Sequence, residues 1–370
     1  MQTHMERPEA KFFHYVLPAM ASQLLTGFFI IVDGFYIGQS IGDVGLASIN
    51  LLWPIASLIT AIGLGVGTGG SVVMANALGA HDEARALRVR GTTLICLALA
   101  SAVLTLGLSF GYPYALRALG ASGELWQPSV DYLRLVCLFC TAQVFNSGLN
   151  PLLRGAGKNV AAMLVMVEGL LLNLFLDWLL IMRFPFGMAG AAAATLIAQA
   201  ASALTALCCM ACGKKLPLRP AQLSFDTAAV KKLLKVGLSP FGLSMSLNFL
   251  IMLNNWQCIR YGGASAVATY AILSYVLGSV QPLLSGIGEG MQPLVSYCCG
   301  AHDAAARKKL LKKGLALMLA TCAALCAAIV LLRGQLPYVF GASPQTAQGS
   351  VPSLLCAAAA QMGEAFSSES

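Results

Sequence analysis

Two stretches decide the fold: residues 65–84 read GVGTGGSVVMANALGAHDEA, and residues 286–305 read GIGEGMQPLVSYCCGAHDAA. Aligned without a gap, eight of these twenty positions are identical, at a constant offset of 221 residues. Pro18 and Pro240 form a further pair at an offset of 222. Similarity of a chain to itself over so long a period indicates two copies of one folding unit.

The composition predicts that this unit lies in a membrane. Hydrophobic residues make up 58% of the chain, charged residues only 10%, and the mean hydropathy is +0.75, whereas soluble domains carry about 25% charged residues. Because helices satisfy their own backbone groups in lipid, we expect an all-α polytopic membrane protein. Apolar stretches long enough to cross the hydrocarbon, which takes about 20 residues, recur at 12–40, 49–77, 92–115, 127–152, 160–182, 188–211, 237–259, 266–298, 314–333 and 349–366.

Basic residues predict the orientation of these spans. Of the 23 Lys and Arg residues, 18, including Arg90 and Arg154, are assigned to the N-terminus and the loops on one side. Positively charged loops face the cytoplasm, so we expect a multi-pass protein of the plasma or inner cell membrane with a cytoplasmic N-terminus. Each basic cluster sits between two spans, so the net charge of +8 indicates contact with anionic lipid and no binding of nucleic acid.

Both copies of the repeat end in a loop on the same side, so the halves share one orientation and each needs an even number of helices. Residues 1–211 are predicted to form an N-terminal lobe of six helices, and 237–370 a C-terminal lobe of about four. Residues 212–236 are predicted as a cytoplasmic linker with a short amphipathic helix. Two full copies would add about 70 residues, room for two helices, so the second lobe is expected to be truncated. Halves of one orientation around a central cavity are a plan of transporters.

Ionisable residues inside spans mark candidate sites, because burying a charge there costs about 2.5–3.5 kcal/mol on the insertion scale. Asp33 lies in the first span, and Asp177 lies in the fifth, on the same helix face as Asn173. Thr195 reaches a similar depth in the sixth. These four residues form a candidate ion-coupling site, either for Na⁺ or as a carboxyl pair that shares a proton, since neighbouring carboxylates resist joint ionisation. Alternatively, each Asp only bonds to a neighbouring helix.

Two further acids are secondary candidates. Glu168 lies nine residues before Asp177 and therefore on the opposite face of that helix. Glu289 lies within the repeated glycine segment, where the first half has Thr68. The halves are expected to enclose a water-filled chamber into which Asp33 and Asp177 point.

The other repeated residues have structural interpretations. Small residues allow membrane helices to approach closely, and we expect this role for the six glycines of the two segments. His81 and His302 are each followed by Asp, and we expect turn and cap residues at these positions rather than metal ligands. The six glycines are Gly65, Gly67, Gly69, Gly286, Gly288 and Gly290.

In order and spacing, these motifs resemble the multidrug and toxic compound extrusion (MATE) family. The resemblance rests on the repeated helix ending in Gly-Ala-His-Asp, on Pro18 through Gly38, on residues 152–157 (LLRGAG) and on Asn173-x-x-x-Asp177. It implies two six-helix lobes that alternate between outward and inward openings. It further implies export of cationic, often aromatic compounds in exchange for H⁺ or Na⁺. The ion site implied by the resemblance consists of Asp33, Asn173, Asp177 and Thr195, with Asn150 as an addition.

The resemblance implies a transporter that is not an enzyme and needs no cofactor beyond the coupling ion, H⁺ or Na⁺. Its expected partners are the lipid bilayer and small cationic or amphipathic organic substrates, and we expect a monomer. One alternative is a flippase for lipid-linked precursors, whose cavity is usually basic, whereas Arg134 is the only Lys or Arg well inside a predicted span. Others are an intramembrane prenyltransferase, weakly matched by Asn173-x-x-x-Asp177, and a non-functional truncated remnant.

Overall fold

The computed structural model describes residues 8–184, 186–212 and 225–332, and this part of the chain is helical, without a strand. A 3-10 turn, Gly123–Leu125, precedes the fourth helix, and a π-helical segment, Trp178–Arg183, continues the sixth. The prediction of an all-α protein is confirmed. The helices are α1 (Phe12–Ser40), α2 (Asp43–Gly79), α3 (Glu83–Ala118), α4 (Trp126–Leu138), α5 (Cys140–Gly155), α6 (Asn159–Asp177), α7 (Gly187–Ala211), α8 (Thr227–Gly300) and α9 (Ala304–Leu332).

Several described helices are long and apolar enough to cross a membrane. Helices α4 and α5 meet at 60° where the sequence predicts one span, and together they are long and apolar enough for one bent span. The predicted span at 349–366 and residues 213–224 of the predicted linker lie outside the described residues. Residues 227–236, expected to form a separate short helix, are continuous with the rest of α8. The six segments that qualify singly are Val44–Gly79, Glu83–Ala118, Asn159–Arg183, Gly187–Ala211, Thr227–Leu250 and Ala304–Ala328.

Helix α8 doubles back within its length. Near its start, the Gly237 carbonyl lies 2.9 Å from the position of a Cβ on Gly65, and near its end the Tyr297 carbonyl lies against Gly79. The two positions on α2 are about 21 Å apart at 1.5 Å per residue, whereas the two positions on α8 would be about 90 Å apart in a straight helix. The chain therefore reverses direction between them, which accommodates the two spans predicted at 237–259 and 266–298.

The repeated segments meet each other at their last glycines. A Cβ on Gly79 would collide with the backbone oxygen of Tyr297, and a Cβ on Gly300 would collide with that of Asn76. Asn76 and Tyr297 are separated by the same 221 residues as the two glycines. The contact is therefore reciprocal, as in an interface with two-fold symmetry. The two repeated segments of the sequence thus form part of the contact between the two halves of the protein.

The expected packing role is confirmed for five of the six glycines named above. A Cβ on Gly65 or Gly69 would press on the start of α8, and one on Gly286 or Gly290 would press on the backbone of α1. A Cβ on Gly67 would collide with the backbone of α5. At Gly288 the structure shows no described atom within 4 Å of an added Cβ, so packing against a neighbour does not explain that glycine.

The loops that follow the repeats have the predicted turn chemistry. His81 and His302 both adopt left-handed backbone conformations, with φ of 58° and 53°. Asp82 and Asp303 each accept a hydrogen bond at 2.9 Å from the backbone N–H three residues further on. A side-chain oxygen in this position satisfies one of the free N–H groups at a helix start. The interpretation of these residues as turn and cap residues is confirmed.

We expect Gly79→Ala and Gly300→Ala to destabilise the protein alike, because each adds a Cβ to the same reciprocal contact. Overpacking of this kind costs about 1–3 kcal/mol. Thermal unfolding of the purified protein, followed by size-exclusion chromatography, measures the effect. Gly111→Ala on α3 is the control, since no described atom lies within 4 Å of its added Cβ. Unfolding temperatures for the two interface variants equal to that of the control would contradict the reciprocal contact.

Candidate functional site

The carboxyl groups of Asp33 on α1 and Asp177 at the end of α6 lie within hydrogen-bonding distance of each other. Asp177 is fully buried and Asp33 is half-buried. An ionised carboxylate can only accept hydrogen bonds. A hydrogen bond between two carboxyl groups therefore requires a proton on one of them, so the arrangement suits a pair that shares one proton.

Asn173 connects this pair to α7. In the amide orientation that satisfies both of its groups, its nitrogen donates to Asp177 Oδ2 at 2.9 Å, and its oxygen accepts from the Thr195 backbone N–H at 3.2 Å. The Thr195 hydroxyl donates to the Ala191 carbonyl at 3.1 Å. The structure thus brings together the four residues predicted from the sequence, and their role in ion coupling stays a prediction.

Two oxygens of the pair are buried without a hydrogen-bond partner. Asp33 Oδ1 and Asp177 Oδ1 are both shielded from solvent, and neither has a partner among the described residues. A buried acceptor without a partner is costly. Carboxylate, amide and hydroxyl oxygens are the ligands that hard cations prefer. The site therefore suits the uptake of a proton or of a small cation such as Na⁺.

Two features next to the pair have no counterpart in the sequence analysis. Tyr132 on α4 lies close enough to both carboxyl groups to interact with them electrostatically. The α-helical pattern of α6 changes to a π-helix at Trp178, directly after Asp177. Such π distortions are frequent at functional sites. Neither a single tyrosine nor a change of helix type gives a periodic signal, so the sequence could not reveal them.

A small apolar cluster covers the pair on its predicted outer side. Its buried members are Ile37, Ile181, Met188 and Ala191, and Tyr132 packs against it. Three of these residues lie one helical turn beyond the site residues: Ile37 after Asp33, Ile181 after Asp177, and Ala191 before Thr195 along α7. The pair is therefore separated from that end of the helices by hydrocarbon.

On the predicted cytoplasmic side, the site adjoins a cavity of about 340 Å³ between α1, α2, α5, α6 and α7. Asn150, Asn173 and Thr195 form part of its wall, whereas Asp33 and Asp177 are not among its lining residues. The sequence predicted that the acids would point into the chamber directly, and the structure instead places Asn173 in the cavity wall beside them. The volume falls in the range of about 300–1,000 Å³ that small-molecule sites occupy.

Glu289 is a lining residue contributed by the second half. Its Oε2 forms an ion pair with the Arg154 guanidinium of α5, and its Oε1 accepts from Gln23 Nε2 at 2.6 Å. Of the two secondary acids, Glu289 thus lies in the cavity. Glu168 instead accepts a hydrogen bond from the Thr205 hydroxyl of α7 at 2.9 Å and is not a lining residue.

Two arginines contradict the expectation about basic residues. Arg90 and Arg154, assigned to loops from the sequence, lie inside α3 and α5 and are 1% and 5% exposed. Both arginines are thus buried helical residues and not loop residues, and Arg154 lies in the last turn of α5. The reason is that the helices continue past the ends of the apolar stretches from which the spans were drawn.

Comparison with known proteins identifies the family of the chain. The MatE family model matches residues 18–179 and again residues 240–368. The two matches begin 222 residues apart, which is the spacing of Pro18 and Pro240. The family model therefore matches each half of the chain once, in agreement with the repeat in the sequence.

Curated relatives of the chain include multidrug export proteins named MepA. The protein from Staphylococcus haemolyticus (strain JCSC1435) is 26% identical over 343 residues, which cover 90% of this chain and 73% of the relative. The protein from Staphylococcus aureus (strain MRSA252) is 26% identical over 286 residues, which cover 77% of this chain and 63% of the relative. The chain thus spans about two thirds of the length of the curated relatives that it matches.

Solved structures share the fold. A multidrug resistance MATE family transporter in an outward-facing conformation superposes with a TM-score of 0.93 at 23% identity, over 99% of this chain and 83% of that one. A MOP superfamily transporter from Pyrococcus furiosus, described as having a binding pocket of reverse polarity, gives 0.89 at 23% identity, over 100% and 87%. Because the family model covers well over half of the sequence and the fold agrees, the chain belongs to the MATE family of membrane transporters.

Proposed function

We propose that the protein is a secondary antiporter, which exports cationic and aromatic compounds in exchange for H⁺ or Na⁺ by alternating access. It would act as a monomer in the cell membrane with its N-terminus in the cytoplasm. The export of drugs by relatives named for that activity supports the proposal. So does a cavity of drug-binding size beside a group of residues suited to a small cation.

The contact between the Asp33 and Asp177 carboxyl groups is the observation that carries the proposal. A proton or Na⁺ bound there changes the charge of a group that Asn173 joins to the cavity wall. Since Asn173 donates to Asp177, loss of negative charge on Asp177 weakens that bond and frees the amide. The freed amide alters the cavity wall, and ion binding at the pair would in this way lower the affinity of the cavity for the drug, which is the coupling that an antiporter requires.

The driving forces set the expected performance. One pH unit is worth about 1.36 kcal/mol per proton, and a potential of 100 mV is worth about 2.3 kcal/mol for each net charge moved. Exchange of one H⁺ for one monovalent cation moves no net charge. A difference of one pH unit therefore supports about tenfold accumulation, and stronger extrusion needs further protons or Na⁺.

The cavity gives no support to a flippase for lipid-linked diphosphates. Such a ligand needs several unpaired cationic groups to hold its phosphates. Among the residues that line the described cavity, Arg154 is the only Lys or Arg, and its charge is already compensated by Glu289.

Replacement of either acid, Asp33→Asn or Asp177→Asn, is expected to abolish ethidium efflux, because an amide cannot take up the coupling ion. Both variants should still reach the membrane, since Asn keeps the shape of the side chain. Efflux from inside-out vesicles, normalised to the amount of protein, provides the measurement. Glu124→Gln, on the exposed 3-10 turn, is the control and should keep its activity. Undiminished efflux in the two Asp variants would reject the site.

Binding of a permanently charged cation to the purified protein should strengthen as the pH is raised. Protonation of the pair favours the state of low drug affinity, so deprotonation removes that competition. In Asp177→Asn the affinity should not change with pH, because the titrating pair is lost. Equilibrium dialysis with tetraphenylphosphonium, whose own charge does not titrate, measures both curves, and the same titration with added Na⁺ tests whether Na⁺ replaces the proton. Parallel pH curves in the wild type and the variant would show that another group is responsible.

A further inference from the structure

We propose that Glu289 is the counter-ion of the exported cation, and that the cation binds by displacing the Arg154 guanidinium from it. This inference rests on the proposed export of cations and names the residue that would select their charge. It concerns a contact between the two halves that is separate from the Asp33–Asp177 pair.

The distribution of charge in the cavity indicates a role for Arg154 and Glu289. Among the residues that line the described cavity, Arg154 and Glu289 are the only ones that carry a formal charge at neutral pH. The rest of the wall consists of apolar side chains and of uncharged polar groups. A charged molecule that enters the cavity therefore meets no other full charge with which to interact.

The side chains of Arg154 and Glu289 differ in their accessibility. The Arg154 side chain is only 6% exposed, whereas the Glu289 side chain is 35% exposed. The charge that a ligand can approach more easily is thus the carboxylate, whereas the guanidinium is nearly buried. This difference favours the approach of a cation over that of an anion.

The hydrogen bonds of Glu289 allow an exchange of partners. Gln23 holds Oε1, and Arg154 is bonded to Oε2. A single carboxylate cannot compensate a guanidinium and a second cation at once, so the two compete for Oε2. The other polar contact that the structure shows for the Arg154 guanidinium is a weak one to Met166 Sδ at 3.8 Å. Removal of the guanidinium should therefore raise the affinity for the cation.

The exchange also alters a connection between the two halves. Gln23 and Arg154 belong to α1 and α5 of the first half, and Glu289 belongs to α8 of the second. The equivalent position in the first half is Thr68, so the repeat does not provide this ion pair twice. When a mobile cation replaces Arg154, one of the two bonds from Glu289 to the first half is lost, and the halves are freer to separate.

Three variants of the full chain test the exchange by the sign of their effects. We expect Glu289→Gln to weaken tetraphenylphosphonium binding by at least about tenfold, the order expected for a charge pair away from bulk water. Arg154→Gln should strengthen it severalfold, and the double variant should behave like Glu289→Gln alone. The neutral analogue triphenylphosphine oxide should bind all of these proteins equally. Equilibrium dialysis at one fixed pH measures each affinity.

Other outcomes separate this inference from the proposed function. A wild-type protein that does not bind tetraphenylphosphonium contradicts the proposed function itself. If the wild type binds it and Glu289→Gln binds it equally, only the role of Glu289 is overturned. Weaker binding in Arg154→Gln, or an equal loss for the neutral analogue in Glu289→Gln, overturns the exchange and indicates a structural ion pair. Glu289→Asp keeps the charge and should retain the preference for the cation, which keeps the test decisive if Glu289→Gln does not fold.

Discussion

Two carboxyl groups in contact inside an apolar helix bundle are the constraint on which the rest of the site depends. Neighbouring carboxylates in such surroundings cannot both stay ionised without a compensating charge. The Asp33–Asp177 pair is therefore suited to hold a proton or another small cation. The apolar cluster around Ile37 and Ile181 covers its outer side. On the inner side Asn173 reaches from Asp177 to the cavity wall, so a change in the occupancy of the pair has a direct structural route to the cavity.

The duplication provides the frame in which this site operates. The halves pack through matching glycines, with Gly79 against Tyr297 and Gly300 against Asn76, and such contacts hold the backbones together without bulky side chains. One position at which the two repeats differ places a charged residue in the cavity. Glu289 replaces the Thr68 of the first half and brings a charge from the second half into a cavity built mainly by the first.

The sequence predicted the helical fold and the grouping of Asp33, Asn173, Asp177 and Thr195, because polar groups are rare in apolar spans and a four-residue spacing fixes one helix face. It could not predict Tyr132, since a tyrosine in a helix carries no pattern that shows its neighbours. Arg154 was assigned to a loop because its apolar stretch ends before it. Its guanidinium pairs with Glu289, 135 residues away along the chain, and a single sequence does not reveal such a pairing.

The most direct test of the shared-proton pair is difference infrared spectroscopy of the purified protein during a pH titration. A carboxyl group that holds a proton has a C=O stretching band that an ionised carboxylate lacks. We expect one such band to disappear as the pH rises or as Na⁺ is added, and to be absent when Asp33 and Asp177 are both replaced by Asn. A pair that shows no protonated band at any pH where the protein is folded would contradict a proton shared between the two acids.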